Sequence, residues 1–303
     1  VHHGVHLFVV QGLDVDAANI AMDPDHGRQP RREVQVGSFV LDAESQQLGN
    51  VHESPFAIER VWYAWNIMTT IAENLHCVRQ RIASACLRFG RPAESVTLLA
   101  VSKTFDADAV LQAYQAGQSA FGENYIQEAV DKISRLRELA LQWHCIGPVQ
   151  SNKTRLVAQH FDWVHTVDRL KIAQRLSEQR PAELPALQVC IQVNIDGGLT
   201  KSGVAPAQAL ELAQAVAALP RLRLRGLMCI PEPAPDFVAA CTAFARAKSL
   251  FDQCNQAGLG LDTLSMGMSD DLEAAIASGS TLVRVGSAIF GKRSYAPTSA
   301  AGA

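Results

Sequence analysis

Residues 97–125 read TLLAVSKTFDADAVLQAYQAGQSAFGENY. The first six residues, 97–102, are mostly apolar and predict a short buried strand. An amphipathic stretch at 106–116 predicts a helix, and the short run at 119–122 predicts a second strand. A strand, a helix and a second strand in this order are typical of a unit whose two strands lie parallel in one sheet.

The same alternation continues along the chain and predicts eight strands, at 97–102, 119–122, 142–146, 163–167, 187–193, 222–230, 261–266 and 281–285. Helices are predicted between them, for example at 106–116, 123–139, 168–179, 206–218, 237–257 and 270–277. Eight such units in about 220 residues match the size of a closed barrel, so we predict the α/β class and a single (β/α)₈ barrel of the TIM type. An open doubly wound sheet is the competing interpretation, although no G-x-G-x-x-G turn follows the first strand.

The N-terminal part of the chain differs from the rest, because polar patches and short apolar pieces alternate there without a period. At 70–87 the apolar positions recur at helical spacing and predict an amphipathic helix, so Met68 is expected to open the folded domain. We therefore predict an N-terminal extension at 1–67, a barrel at 68–295 and a C-terminal tail at 296–303. The extension is interpreted as poorly ordered or as the product of a mis-set start site, and a genuine extension is the alternative.

The bulk composition predicts a soluble globular protein, with 48% hydrophobic and 19% charged residues. A formal net charge of -3 provides no basic field for collecting phosphates, so we expect no nucleic-acid partner. We also expect no membrane span and no signal peptide, since no apolar run has the necessary length or flanks. The seven cysteines contain no C-x-x-C pair, which is typical of reduced, mostly buried thiols in a cytoplasmic protein without a structural metal.

In a barrel of this type the working residues follow the carboxyl ends of the strands, because the loops there converge on one cavity. Lys103 directly follows the first predicted strand. A lysine amine in an apolar pocket has a lowered pKa, since burial disfavours the ammonium, and its neutral form attacks aldehydes. Lys103 is therefore a candidate for forming a Schiff base, although a lysine at a strand end is commonly solvated or ion-paired.

The loops after the seventh and eighth strands predict a phosphate site. Ser269 lies near the expected N-cap of the helix at 270–277, and Gly286 with Ser287 opens a segment able to form a short helix. The first amides of a helix lack partners within it and attract anions, and phosphate sites commonly follow strands seven and eight of such barrels. Ordinary capping by the two serines, with Gly286 as a turn glycine, is the alternative.

Six segments carry a resemblance to a known family: AVSKT at 100–104, FGENY at 121–125, HCIGPVQSNK at 144–153, KSG at 201–203, RGLM at 225–228 and LSMGMSDD at 264–271. Together they resemble the YggS/PROSC family of pyridoxal 5′-phosphate (PLP) homeostasis proteins, over about residues 68–295. The resemblance implies a barrel similar to the N-terminal domain of alanine racemase. It also implies PLP as the cofactor and a role in PLP homeostasis without established catalysis.

The resemblance also assigns residues to the cofactor site. The positions that it places around PLP are Lys103, Asn124, Lys201, Ser269, Arg284, Gly286 and Ser287. Among them Lys103 would form the Schiff base and Arg284 would face the pyridine nitrogen, as in racemase-like barrels. The two serines and the glycine would hold the phosphate. Phe105 departs from the pattern, because some relatives have a second lysine there, and a secondary PLP site is therefore in doubt.

The expected surroundings of the ring favour binding over turnover. A cation beside the pyridine nitrogen disfavours its protonation, so the ring would be a weaker electron sink. The chain also ends at Ala303, and we expect it to lack the separate domain that supplies the second acid/base residue of alanine racemase. We favour a monomeric PLP carrier or regulator, with apo PLP-dependent enzymes as candidate partners. The alternatives are a PLP-dependent racemase or decarboxylase of small amino acids and a phosphate-binding barrel enzyme that uses no aldehyde cofactor.

Overall fold

Strands and helices alternate along residues 55–198 and 201–291, which are the residues that the computed structural model describes. The strands are β1 (Thr97–Val101), β2 (Ala120–Glu123), β3 (Gln142–Cys145), β4 (Trp163–Val167), β5 (Leu187–Val193), β6 (Leu222–Cys229), β7 (Thr263–Ser265) and β8 (Leu282–Val285). The α-helices are α1 (Pro55–Arg88), α2 (Ala107–Gln115), α3 (Ile126–Arg135), α4 (Thr154–His160), α5 (Leu170–Gln179), α6 (Pro206–Ala217), α7 (Phe237–Gln256), α8 (Leu272–Ala277) and α9 (Ser287–Phe290). A short 3-10 helix, Ala93–Ser95, precedes β1.

The eight strands form one closed parallel sheet in chain order, and β8 pairs with β1 to complete it. This confirms the predicted α/β class and the single (β/α)₈ barrel, and the open sheet is wrong. The predicted bounds of β4 and β5 match the structure, and the other strands shift by at most two residues at either end. Helix α4 lies between β3 and β4, where no bounds were predicted. The helix predicted at 123–139 is α3, which begins later because Glu123 belongs to β2 and which ends at Arg135.

Helix α1 packs across the helical layer, where it contacts α2, α8 and α9. Its buried positions Ile71, Leu75, Val78 and Ile82 recur every three or four residues, which is the predicted amphipathic pattern. The helix nevertheless begins at Pro55, well before the predicted start at residue 70. Proline is favoured at the first helical position, where its missing N–H is not needed.

The predicted domain boundary at Met68 therefore lies inside α1. Most of the predicted extension, residues 1–54, and the predicted tail at 296–303 lie outside the described residues. The division of the chain into an extension, a barrel and a tail stays a prediction.

Side chains of the strands alternate between the helical layer and the barrel interior, as the two-residue period of a strand requires. Ala100 belongs to the large apolar cluster that includes the helices, whereas its neighbour Leu99 packs with Ala120 and Leu282 in a separate cluster. All seven cysteines are free, and five of them are buried, which confirms the expectation of mostly buried thiols. Within the described residues no helix combines the length and apolar character that a bilayer span requires.

A chain that begins at Met68 is expected to keep the stability of the barrel. It retains the buried face of α1, which the structure describes from Ile71 onward, and every strand. The melting temperatures of the full and shortened chains should differ by less than about 5 °C, which corresponds to roughly 1–2 kcal/mol in a domain of this size. A larger drop would show that residues 1–67 support the fold.

Candidate binding site at the barrel mouth

A cavity of about 500 Å³ lies at the carboxyl ends of the strands, within the size range of small-molecule sites. The loops after β1, β2, β6, β7 and β8 all contribute to its lining. Of the seven residues predicted at the site, six line this cavity: Lys103, Asn124, Ser269, Arg284, Gly286 and Ser287. The loops therefore converge as predicted, and Lys201 is the exception.

Lys103 lies in the loop between β1 and α2, two residues after the end of the strand, and is partly buried. The next residue, Thr104, has a φ of 69°, in the left-handed region that few residues other than glycine adopt. Phe105 also lines the cavity and packs on Phe290, with ring centroids 5.1 Å apart. The position at which some relatives have a second lysine is thus an aromatic wall of the cavity.

Asn124 follows β2 and lines the cavity, and its side chain contains an unpaired polar atom. Its Oδ1 is buried and has no hydrogen-bond partner among the described residues. A buried acceptor without a partner costs roughly 1–3 kcal/mol, so a ligand that donates a hydrogen bond here would be favoured. Gly147 lets the neighbouring loop approach, because a Cβ at that position would overlap the backbone of Asn124.

The loop after β7 brings Ser269 to the cavity, but not as the cap of α8. That helix begins at Leu272 with Asp271 in the N-cap position, so the alternative in which Ser269 caps it is wrong. Asp271 instead accepts a hydrogen bond through Oδ1 from the amide of Met268 at 2.6 Å. Arg81 of α1 donates to the carbonyl of Ser269 at 3.0 Å and anchors the loop from outside.

The loop after β8 supplies the second half of the predicted phosphate site. The hydroxyl oxygens of Ser287 and Ser269 lie 3.3 Å apart. The predicted short helix is α9, in which the amides of Ile289 and Phe290 both donate to the carbonyl of Gly286. The amides of Ser287 and Ala288 precede them and, as at any helix start, have no carbonyl within the helix to bind.

Gly286 allows the loop after β8 to approach the end of β1 closely. Its φ is −117°, which any residue adopts. A Cβ on Gly286 would lie 3.1 Å from the carbonyl oxygen of Val101, at the end of β1. No positive φ therefore calls for a glycine here, and the missing Cβ instead lets the start of α9 approach the end of β1.

Arg284 reaches the cavity from inside the barrel, on β8, and is only 4% exposed. Its two terminal nitrogens donate to Ser265 Oγ at 2.8 Å and to the carbonyl of Cys229 at 3.0 Å. Burial lowers the pKa of Arg284 from its usual high value. A guanidinium still remains protonated in proteins, so the cavity contains a fixed cation.

A buried chain of hydrogen bonds continues from Arg284 through the barrel. Ser265 Oγ lies 3.0 Å from His165 Nδ1, His165 Nε2 lies 2.9 Å from His144 Nδ1, and His144 Nε2 lies 3.0 Å from Gln142 Oε1. The guanidinium of Arg284 can only donate and the Gln142 oxygen can only accept. The hydrogen bonds therefore all point from Arg284 towards Gln142, and each donor is used once. In that direction both imidazoles are neutral with the proton on Nε2. Neither histidine was predicted to have a role.

The two buried histidines predict a fold that is sensitive to acid. Burial lowers the pKa of His144 to about 3. Burial, together with the neighbouring His144 and Arg284, lowers the pKa of His165 well below its usual value. In the unfolded chain the histidines have a pKa near 6.5. Below that pH the unfolded chain therefore binds more protons than the folded protein does. Stability should be complete above about pH 6.5 and then decrease by roughly 1.4 kcal/mol per pH unit for each ring.

The measurement is the free energy of unfolding in urea between pH 7 and pH 5. His144→Gln should make its pH dependence shallower, whereas replacing the exposed His76 by glutamine should leave it unchanged. The same slope in His144→Gln as in the parent protein would contradict the assignment of a neutral buried ring.

Lys201 lies outside the cavity lining. Its Nζ is 3.3 Å from Asp196 Oδ2, 3.0 Å from Glu232 Oε1 and 3.1 Å from the carbonyl oxygen of Ile230. Ile230 itself lines the cavity, so Lys201 borders the site without being part of its wall. Its placement at the cofactor stays a prediction.

Comparison with known proteins identifies the family. Residues 70–294 match the family described as the N-terminal domain of alanine racemase. The pyridoxal phosphate homeostasis protein of Pseudomonas aeruginosa is 60% identical over 233 residues, which cover 77% of this chain and 100% of that protein. The protein of the same name from Escherichia coli is 56% identical over 238 residues, covering 75% of this chain and 99% of the relative.

A solved structure supports the same relationship. PipY of Synechococcus elongatus, in its structure with PLP bound, superposes with a TM-score of 0.64 at 36% sequence identity. The match covers 73% of this chain and 100% of PipY. The matches cover nearly the whole length of these relatives, and the closed barrel with a cavity at its mouth agrees with them. The chain therefore belongs to the family of pyridoxal phosphate homeostasis proteins.

Proposed function

We propose that this chain binds PLP in the cavity at the barrel mouth and serves PLP homeostasis as a carrier or regulator. The observation that carries the proposal is the convergence of Lys103, Arg284 and the Ser269–Ser287 pair on one cavity. These groups suit the three reactive parts of PLP, which are its aldehyde, its pyridine nitrogen and its phosphate. The names of the relatives and the PLP-bound structure of PipY support the same ligand.

Two further features of the cavity fit PLP: its volume and the unpaired oxygen of Asn124. About 500 Å³ accommodates a ligand of this size. The buried Asn124 Oδ1 lacks a partner among the described residues and would accept a hydrogen bond from a hydroxyl group. PLP has such a hydroxyl on its ring, so the residues present fit the cofactor.

Each residue would have a separate task at the bound cofactor. PLP supplies an aldehyde that reacts with amines, and Lys103 would hold it covalently through its amine with loss of one water molecule. Ser269, Ser287 and the first amides of α9 would bind the phosphate through charge-assisted hydrogen bonds. Arg284 would orient the ring and, as a fixed cation, would oppose a proton on the ring nitrogen. This arrangement favours retention over carbanion chemistry.

We further infer that apo PLP-dependent enzymes receive the cofactor from this protein. The monomeric state and the cytoplasmic location stay predictions. Racemisation or decarboxylation of small amino acids is the alternative function, and the cation beside the ring weighs against it.

The test loads the purified protein with PLP, removes the excess and records the visible spectrum. We expect a visible absorption band that persists after dialysis, and no conversion of L-alanine or L-serine beyond that of free PLP. Addition of an apo PLP-dependent enzyme should restore that enzyme's activity. Absence of the band would refute PLP binding, and steady turnover of an amino acid would favour the enzyme alternative.

A further inference from the structure

We propose that Glu128 and Lys132 form a positioning pair for Lys103 and thereby set how firmly the chain holds PLP. Both residues belong to α3 and contact the β1–α2 loop. Neither lines the cavity, so they would act on the lysine and not on the cofactor. The inference rests on the proposed function, because it concerns the covalent attachment at Lys103.

Lys132 is the centre of the pair and is buried, with a residue exposure of 5%. Its Nζ lies 2.8 Å from the carbonyl oxygen of Ser102, 2.8 Å from Glu123 Oε1 and 2.7 Å from Glu128 Oε1. An ammonium group has three N–H donors, and three oxygen atoms surround this one at hydrogen-bonding distance. The position of Lys132 is therefore fixed by its partners.

On the N-terminal side of Lys103 the network holds Ser102. The carbonyl of Ser102 accepts from Lys132, its hydroxyl donates to Glu123 Oε1 at 2.6 Å, and its amide donates to the carbonyl of Gly122 at 3.0 Å. Ser102 is fully buried. The peptide that leads into Lys103 is thus held at its amide, its side chain and its carbonyl.

On the C-terminal side the network holds Thr104. Its amide donates to Glu128 Oε1 at 2.9 Å, the same oxygen that contacts Lys132. A threonine at a φ of 69° is strained, and such a conformation persists only where neighbouring contacts hold it. The bond to Glu128 is a contact of this kind, and it ties the loop to the buried ammonium.

Lys103 lies between these two held residues, so its backbone has little freedom. An amine on a fixed backbone meets a bound aldehyde at a high effective concentration, because little orientational entropy is lost when the bond forms. Removing the contacts that hold Ser102 or Thr104 should weaken the covalent attachment of PLP. The non-covalent contacts of its phosphate and ring should stay intact. This difference separates a positioning role from a general structural one.

The test compares Glu128→Ala with Glu128→Gln. Glu128 is partly exposed, so both variants should fold, whereas Lys132→Met would leave Glu123 buried without its cation. Glutamine keeps an oxygen that accepts from the Thr104 amide, and alanine does not. Asp252→Ala is the matched control, since it removes another acidic partner of a lysine four residues away on a helix, Lys248 of α7.

Three readouts are needed, of which the second and the third do not depend on covalent attachment. The first two are the dissociation constants of PLP and of pyridoxine 5′-phosphate, which has the ring and phosphate but no aldehyde. The third is the hydrogen-exchange rate of the Thr104 amide in protein free of ligand. In Glu128→Ala we expect PLP affinity to fall and Thr104 exchange to accelerate, each by about tenfold for one lost hydrogen bond to a charged group. Pyridoxine 5′-phosphate affinity should change by less than about twofold.

Glu128→Gln should recover most of the PLP affinity, and Asp252→Ala should match the parent protein. Equal losses of affinity for PLP and pyridoxine 5′-phosphate would overturn the positioning role, as would unchanged PLP affinity in Glu128→Ala. If the parent protein retained no PLP, the proposed function itself would fail, and that result is distinct from a failure of the pair.

Discussion

Lys103→Ala is expected to abolish the covalent attachment of PLP while the protein stays folded. Lys103 is the lysine that lines the cavity, and it lies in a loop after β1 and not in the packed core. Its removal would take away the amine that we propose reacts with the aldehyde, and it would leave the proposed phosphate and ring contacts in place. The visible band should disappear, and borohydride should leave no adduct on the chain. Residual binding should be weak and fully reversible on dialysis.

Lys171→Ala is the matched control, because Lys171 is an exposed lysine on α5, away from the cavity. It should keep the visible band and the adduct at the level of the parent protein. A band that survives in Lys103→Ala with unchanged intensity would refute the assignment of the attachment residue.

The second large effect is expected from Ser269→Ala combined with Ser287→Ala. The two hydroxyls lie 3.3 Å apart at the start of α9 and would both donate to the phosphate dianion. Charge-assisted hydrogen bonds contribute roughly 1.5–3 kcal/mol each, so PLP affinity should fall by more than about tenfold. Affinity for pyridoxal, which lacks the phosphate, should change little. Equilibrium titrations with both ligands measure the difference.

Ser134→Ala serves as the control for the loss of a serine hydroxyl, since this serine bonds to the carbonyl of Val130 on the exposed side of α3. It should leave both affinities unchanged. Equal losses for PLP and pyridoxal in the double variant would contradict the phosphate site and indicate damage to the whole cavity.

The barrel and most of its site could be predicted because the signals are local. Short apolar runs between amphipathic stretches predicted the bounds of β4 and β5, and most of the residues that line the cavity lie just after the strands. The cap of α8 could not be predicted in the same way. Ser269, Asp270 and Asp271 are all good capping residues, so local propensity cannot choose among them, and the loop geometry selects Asp271.

The contacts behind the cavity wall depend on register across the barrel and were not predicted. The His144–His165 chain joins residues of β3, β4, β7 and β8, whose alignment the sequence does not reveal. Lys132 had a local signal, because it follows Ile126 and Ala129 at helical spacing on the buried face of α3. A charged residue on such a face indicates a buried partner, which is Glu123.

The central claim is that PLP is attached at Lys103, and mapping of the reduced adduct tests it most directly. The PLP-loaded protein is treated with borohydride, digested and analysed by mass spectrometry to locate the modified lysine. We predict a single phosphopyridoxyl group on the peptide that contains Lys103. An adduct confined to any other lysine, or no adduct on a protein that retains the visible band, would contradict the account.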